Sequence, residues 1–402
     1  MNSAKQHYNV IIVGGGPAGS STAIHLAQHD IRVLLVEQKK FPRAKLCGEF
    51  ISPECIPHFE RLGVAADMQL SRPAQITETV FYSRKGKRIV VPSWWFGGSV
   101  ALGLSRSAMD NNLLCRARNL GVNVVEETSV IGLIEEQGSV RGLRLKTSNV
   151  EDVYRAPIII DATGRSRAVI RKLHHLASPR IAKPKLVAFK AHLEGSLGSN
   201  TACEIYSYPG GYGGLSGVEN GLSNLCFIVR ASEVIRANSD PETVVRQNVM
   251  LNRRAAFTLK EIRVANEWLS VSLDSFGRHL PVPATGLIAV GDAAAFIDPF
   301  TGSGMLMALE SGELVAHSIV RHRNELLDEF GVRNLCYDYA REYGEKFDAR
   351  LRICNLLRRV AFKPRLAQFV ISVCGASDRF RNRLARATRS SPNQNAASPR
   401  PT

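Results

Sequence analysis

The chain lacks most of the groups that would declare a chemistry of their own. Its eight cysteines never fall at C-x-x-C spacing, which argues against a zinc ribbon or a redox dithiol. Such scattered thiols suit a reducing compartment, so a cytoplasmic protein is expected. The ten histidines form no ligand pattern such as H-E-x-x-H, and no metal centre is expected. G-x-S-x-G is absent, which removes the nucleophile elbow of the serine hydrolases. No apolar run reaches the ~18–20 residues needed to span a bilayer. The first apolar run is short and glycine-interrupted, unlike a secretory signal. No internal repeat is visible. Acid is scarce at one end: from residue 350 onward there are twelve Lys or Arg and one acid, Asp378. A chain of 402 residues with none of these devices is expected to take its hard chemistry from a bound cofactor.

What is present fits that expectation. Val10 to Val13 reads as a buried strand, and Gly14, Gly16 and Gly19 follow as G-x-G-x-x-G. Gly14 allows the tight turn, Gly16 the approach of a pyrophosphate, and Gly19 close packing of the next helix on the sheet. That helix is predicted from about Pro17 to Gln28, with Pro17 and Ala18 in its first turn. Its free N–H groups and positive dipole end would meet the phosphates. A second strand, Ile31 to Val36, ends at Glu37, about 20 residues on, where a carboxylate can accept from a ribose hydroxyl. An acid there disfavours a 2′-phosphate. A second site near residue 300, IAVGDAAAFIDPFTGSGM, reads as the other half of the same pocket. Together the two halves point to FAD rather than NAD.

On these residues the chain resembles the flavoproteins of the aromatic-hydroxylase fold. That superfamily includes geranylgeranyl reductases, single-component monooxygenases and flavin-dependent halogenases. Four segments carry the resemblance: the opening, GLSRSAMDNNLL at 103–114, APIIIDATGRSRAVIRK, and the stretch from Leu287 into MLMALESGELVAHSIV. It implies that Arg106 lies near the cofactor phosphates, although a basic turn opening a surface helix reads the same way. It places the Asp161–Gly164 turn near the flavin, with Arg165 and Arg167 able to attract an anionic nicotinamide. It gives Asp292 the ribityl chain. It sets Pro299, Gly302, Ser303 and Gly304 at a helix N-terminus facing the flavin pyrimidine edge, where the dipole favours negative charge.

The most distinctive stretch outside these is FPRAKLCGEFISPE, residues 41–54. Cys47-Gly48-Glu49 is similar to the Cys-Gly-Glu/Asp of geranylgeranyl reductase-like members. Arg43 and Lys45 would pair with the pyrophosphate, and Gly48 would let the ring approach. Cys47 beside basic residues is a candidate proton donor, Glu49 the alternative acid, and packing beneath the flavin the plainer role for Cys47. The resemblance has gaps. In 206–229 the family's Trp and Phe-Pro are missing, and Tyr212-Gly213-Gly214 stand there instead. The Trp-x-Trp-x-Ile-Pro of halogenases is absent too, which makes halogenation the weakest branch.

The expected fold is α/β: a Rossmann-like, glutathione-reductase-type FAD-binding domain with an inserted antiparallel β-sheet substrate domain and a helical C-terminus. The FAD domain would be discontinuous (6–72, 98–178 and 270–328), with the substrate domain at 73–97 and 179–269. A helical region at 329–388 and a disordered tail at 389–402 would follow. The basic C-terminal region, with its clusters ICNLL, VAF and LAQFVISV, reads either as a helical cap packed on the body or as a peripheral contact with a membrane surface. Nucleic acid is not an expected partner. The function expected is FAD-dependent oxidation–reduction with NAD(P)H-derived electrons on a small hydrophobic substrate, an isoprenoid or polyketide lipid. C=C reduction leads; the alternatives are a flavin monooxygenase and a membrane-surface electron-transfer flavoprotein.

Overall fold

Val10–Val13 is apolar and buried at every position, so it needs cover on both faces and neighbours on both edges. It obtains the neighbours in a five-stranded parallel sheet. The order is Leu287–Ala289, Ile158–Asp161, Val10–Val13, Val33–Val36, Asn123–Val125. Part of the cover is the helix Pro17–Ala27, which packs against the helices Arg106–Asn119 and Gly304–Arg321. A three-stranded antiparallel meander, from Thr128 to Arg155, packs against Ile158–Asp161. The computed structural model describes residues 7–97, 100–173, 185–273, 276–361 and 378–387.

The second large sheet has eight strands, drawn from both expected inserts. TETVFYS and RIVVP form the expected hairpin, with Glu78 opposite Pro92 and Tyr82 opposite Arg88. The sheet is not wholly antiparallel. Ala202–Tyr208 pairs with Glu78–Tyr82 in parallel, because the two inserts meet edge to edge there without a turn between them. Two boundaries also move. Leu269–Leu273 belongs to this sheet through Leu186–Glu194. Ala74–Ile76 instead joins Phe50–Ile51 and Ala101–Gly103 in a small separate sheet.

Side chains of the large sheet alternate between two apolar environments. Phe189, Tyr206, Phe227 and Val80 pack with Val244, Val245 and Ala255 of the short helices Pro241–Gln247 and Arg253–Thr258. Their neighbours Ala188, Ile205, Ile228 and Phe81 face a cavity shared with the parallel-sheet domain. Both faces are apolar for different reasons: one is core, the other lines a binding space.

The C-terminal half of the body ends in a long helix, Glu329–Ala361, whose Tyr339, Tyr343, Phe347 and Leu351 are buried. Arg350 is not a solvated charge but a buried fork on Glu310, at 2.6 and 3.3 Å. This stretch is therefore a cap packed on the body. A last described helix, Asp378–Ala387, contacts Arg88–Pro92 and the turn Ser93–Phe96. LAQFVISV and the tail expected to be disordered lie outside the described residues. Among the described residues no helix is long and apolar enough to cross a membrane.

Candidate functional site

A cavity of about 360 Å³ opens between the parallel sheet and the eight-stranded sheet, within the size range of small-molecule sites. Two helix N-termini face it. Pro17 and Ala18 begin one helix, and Gly304 begins the other after the turn Pro299–Gly302. Free N–H groups and the positive dipole ends therefore point into one space from two sides. Two of the glycines sit where a side chain would clash. Gly14 sits at φ +109°, and a Cβ there would lie 2.4 Å from the Ala162 carbonyl oxygen. A Cβ on Gly19 would lie 1.9 Å from the Gly14 oxygen, so helix and strand touch at that point. A Cβ on Gly304 or Gly48 would meet nothing within 4 Å, because both face open cavity.

The charged residues divide into those that face the cavity and those that hold its walls. Gly16, Lys45, Arg106, Gly164, Asp292, Pro299 and Gly302 line it. Arg106 is forked on the buried Asp110, with both contacts at 2.7 Å. Burial alone would lower its pKa, but Asp110 outweighs this and holds the guanidinium above its ordinary value. Burial, with Arg106 and Arg43 nearby, brings the Lys45 ammonium down to about 8. Burial raises Asp292, against the pull of Lys45, Arg165 and Arg106. The Asp292 carboxylate makes no hydrogen bond to the described residues. An unsatisfied carboxylate near three cations, facing an open glycine-lined cavity, suits a ligand with hydroxyl and phosphate groups. The residues thus fit FAD.

Gly14, Gly19, Glu37, Arg43, Asp161 and Ser303 support this wall without lining it. Glu37 accepts from Gly15 N at 2.8 Å and Lys39 N at 2.9 Å. Arg43 bridges Glu37 at 3.7 Å and Asp110 at 3.5 Å. Asp161 is fully buried and accepts from Thr163 N (3.0 Å), Thr163 Oγ1 (2.6 Å) and Ile170 N (3.0 Å). Its carboxyl shapes the turn that presents Gly164. Ser303 is buried with its hydroxyl 3.0 Å from Thr301 Oγ1.

Residues 45–49 form the floor of the cavity. Cys47 lines it, and its Sγ accepts from Glu49 N at 3.4 Å. The loop is pinned from the large sheet: Asn224 Nδ2 donates to the Cys47 carbonyl at 3.1 Å. Glu49 is fully buried. It accepts from Arg106 N at 2.8 Å, pairs with Lys190, and lies 2.6 Å from His192 Nε2. Burial would raise its pKa, but the hydrogen bond and charge of His192 and the charge of Lys190 outweigh it and hold the carboxylate low. Glu49 is therefore an ionised anchor at neutral pH, an acceptor rather than the proton source the sequence suggested. Both candidate acids, Cys47 and Glu49, are among the residues that line the cavity.

Several residues here were not expected from the sequence. Lys190 and His192 are two apart on an apolar strand, so they share a face; that spacing was the available signal. Asp110 lies one helical turn after Arg106. Tyr212, noted only as a departure from the family pattern, donates its hydroxyl to Asp298 and packs edge-on against Phe300 at 5.2 Å.

A family profile described as an FAD binding domain matches residues 7–328. The chain is 28% identical over 325 residues to a digeranylgeranylglycerophospholipid reductase of Methanosarcina mazei, covering 78% of this chain and 75% of that protein. It is 26% identical over 380 residues to a menaquinone reductase of Mycolicibacterium smegmatis, covering 90% and 86%. Among solved structures, the flavin-dependent brominase Bmp2 superposes with a TM-score of 0.80 at 21% identity, over 95% of this chain and 93% of that one. At that identity the likeness speaks for the fold alone.

Proposed function

Because the chain belongs to the FAD binding domain family, as an FAD-dependent enzyme of the reductase and monooxygenase type, we propose that it reduces C=C bonds of an isoprenoid lipid. The observation that carries this reading is the continuity of the cavity. The two helix N-termini and Cys47 line the same cavity as the wall of Phe81, Ile89, Val91, Ile205 and Ile228. An elongated apolar substrate laid along that wall would bring its chain to the Cys47-Gly48 floor. Likeness to the digeranylgeranylglycerophospholipid and menaquinone reductases supports an isoprenoid chain over a polyketide.

Bound FAD supplies hydride transfer, with electrons drawn from NAD(P)H. The chain's own residues do the rest. Lys45, Arg106 and the two helix N-termini hold the anionic part of the cofactor. Asp292 accepts from its hydroxyls. Gly48 and Gly304 leave room for the ring system. The Cys47 thiol holds the proton that completes saturation, delivered from Sγ to the substrate carbon. Arg165, whose guanidinium lies 5.1 Å over the Phe296 ring at the cavity edge, attracts the anionic donor.

The test is mass analysis of lipophilic products from the FAD-loaded protein with a reduced nicotinamide and a polyprenyl substrate. Gain of hydrogen pairs supports the reading. Gain of one oxygen makes the protein a monooxygenase.

A further inference from the structure

Residues 45–49, the floor of the cavity, are tied down at one place on the large sheet. Lys190 Nζ donates to the Lys45 carbonyl at 3.4 Å and pairs with Glu49. Asn224 Nδ2 holds the Cys47 carbonyl at 3.1 Å. Cys226 stands beside both anchors. It lies two residues beyond Asn224 on the strand Ser223–Arg230, and directly opposite Lys190 on the neighbouring strand. Leu225, Phe227 and Val229 turn into the core behind the sheet, so Asn224, Cys226 and Ile228 share the other face. Cys226 and Ile228 line the cavity there, as Cys47 does. Both cysteines are free and half-buried. C-x-x-C spacing cannot show this pair, because the fold brings it together.

The two sulfurs differ as a reacting pair must. Cys47 Sγ accepts from Glu49 N at 3.4 Å and lies within hydrogen-bonding reach of the Arg106 guanidinium. Such donors suit the charged forms through which a thiol reacts. Burial, and then the neighbouring Cys47, pushes the Cys226 thiol up, so it stays protonated. We infer that Cys47 and Cys226 close into a disulfide when hydrogen peroxide enters the cavity, with Cys226 as the resolving thiol of a reversible off-switch. Cys47 Sγ attacks the peroxide: an S–O bond forms, the O–O bond breaks and water leaves. Cys226 Sγ then attacks the sulfenic sulfur: the S–S bond forms, the S–O bond breaks, and the thiol proton leaves with the hydroxyl as a second water. The two thiols lose two electrons and the peroxide gains them. A disulfide holds its Cα atoms about 4.4–6.8 Å apart, so the floor settles onto the sheet. Gly48, where a Cβ would meet nothing within 4 Å, leaves it room to do so. The bond itself does not depend on the proposed reaction; its effect on turnover does, because it removes the Cys47 proton.

The FAD-loaded protein is treated with hydrogen peroxide, its remaining thiols are blocked, and it is cut with trypsin and a glutamate-specific protease. Cys47 is then released in LCGE and Cys226 in NGLSNLCFIVR, with Cys55 and Cys203 in other peptides. The two peptides should appear joined, and dithiothreitol should separate them. In Cys226→Ser, Cys47 should instead go on to sulfinic and sulfonic acids that dithiothreitol does not reverse. Absence of the joined peptide in the wild type with flavin content intact overturns the proposal. So does Cys47 joined as often to Cys55 or Cys203, or equal overoxidation in the wild type and Cys226→Ser. Reduction of a polyprenyl substrate in the same samples keeps the two readings apart. Oxidation should lower turnover by about ten-fold or more, and dithiothreitol should restore it. A bond that forms while turnover holds overturns the switch. A bond that forms in protein with no reductase activity before oxidation sinks the C=C reaction and leaves the thiol pair.

Discussion

Glu49 and Lys190 form a buried ion pair across 141 positions of sequence, joining the Cys47 loop to the central region of the large sheet. Neither group reaches water: Glu49 is fully buried and Lys190 is 2% exposed. Glu49→Gln removes one charge and leaves the other stranded, which should cost about 3–5 kcal/mol in denaturant unfolding. The folded carboxylate is held below its ordinary value of 4.5. Its contribution should be complete above pH 4.5 and lost as pH falls through the lower folded value. Acid unfolding of the wild type that matches the variant's would remove Glu49 from this role.

Lys45 makes a prediction in the opposite pH range. Its ammonium titrates near 8 in the cofactor-free protein. A bound pyrophosphate favours the charged form, so binding takes up a proton above pH 8. FAD affinity should be level below pH 8 and fall by up to about ten-fold per pH unit above it. Lys45→Met should weaken binding at pH 7 and flatten the profile. Fluorescence titration of the apoprotein from pH 6.5 to 9.5 reads both, on the basis of that pKa near 8.

The same substitution at two glycines should give opposite results. Gly19→Ala forces a methyl against the Gly14 carbonyl and should lower stability by about 1–3 kcal/mol. Gly304→Ala meets no protein atom within 4 Å, so thermal stability should hold. Its methyl would occupy cavity, and FAD affinity should drop about ten-fold. Unchanged affinity in Gly304→Ala would move the flavin away from that helix N-terminus.

Cys47→Ser keeps the size of the side chain and replaces the thiol. With FAD content unchanged, kcat for reduction should fall by about a hundred-fold, the lower range for loss of a general acid. Full turnover would show that the proton comes from elsewhere.

The cofactor half of the fold was readable because its constraints are local. Gly14 and Gly19 lie within one strand–helix unit, and the close backbone approaches they permit follow from sequence spacing alone. The floor of the site was not. Glu49 looked like an acid because its partners, Lys190 and His192, arrive from a strand far along the chain. Gly211–Gly217 is a strand despite its glycines, which the sequence had marked only as a departure from the family pattern. A Cβ at Gly211 would come within 1.9 Å of the Ile228 oxygen, so the glycines answer to a neighbouring strand that sequence position does not reveal. The parallel joint between Glu78–Tyr82 and Ala202–Tyr208 escaped for the same reason.

That joint also sets a timetable for synthesis. Tyr82 leaves the ribosome long before its partner Tyr206 exists, by roughly 6–25 s at about 5–20 residues per second. The Ile158–Asp161 strand waits likewise for Leu287–Ala289. Neither sheet can close on a nascent chain that stops short of those partners. The hairpin of residues 78–92 therefore emerges with an unpaired edge and an apolar face, a surface that chaperones recognise. The arrangement that places one cavity between two sheets means that the cavity takes shape only after most of the chain has been made.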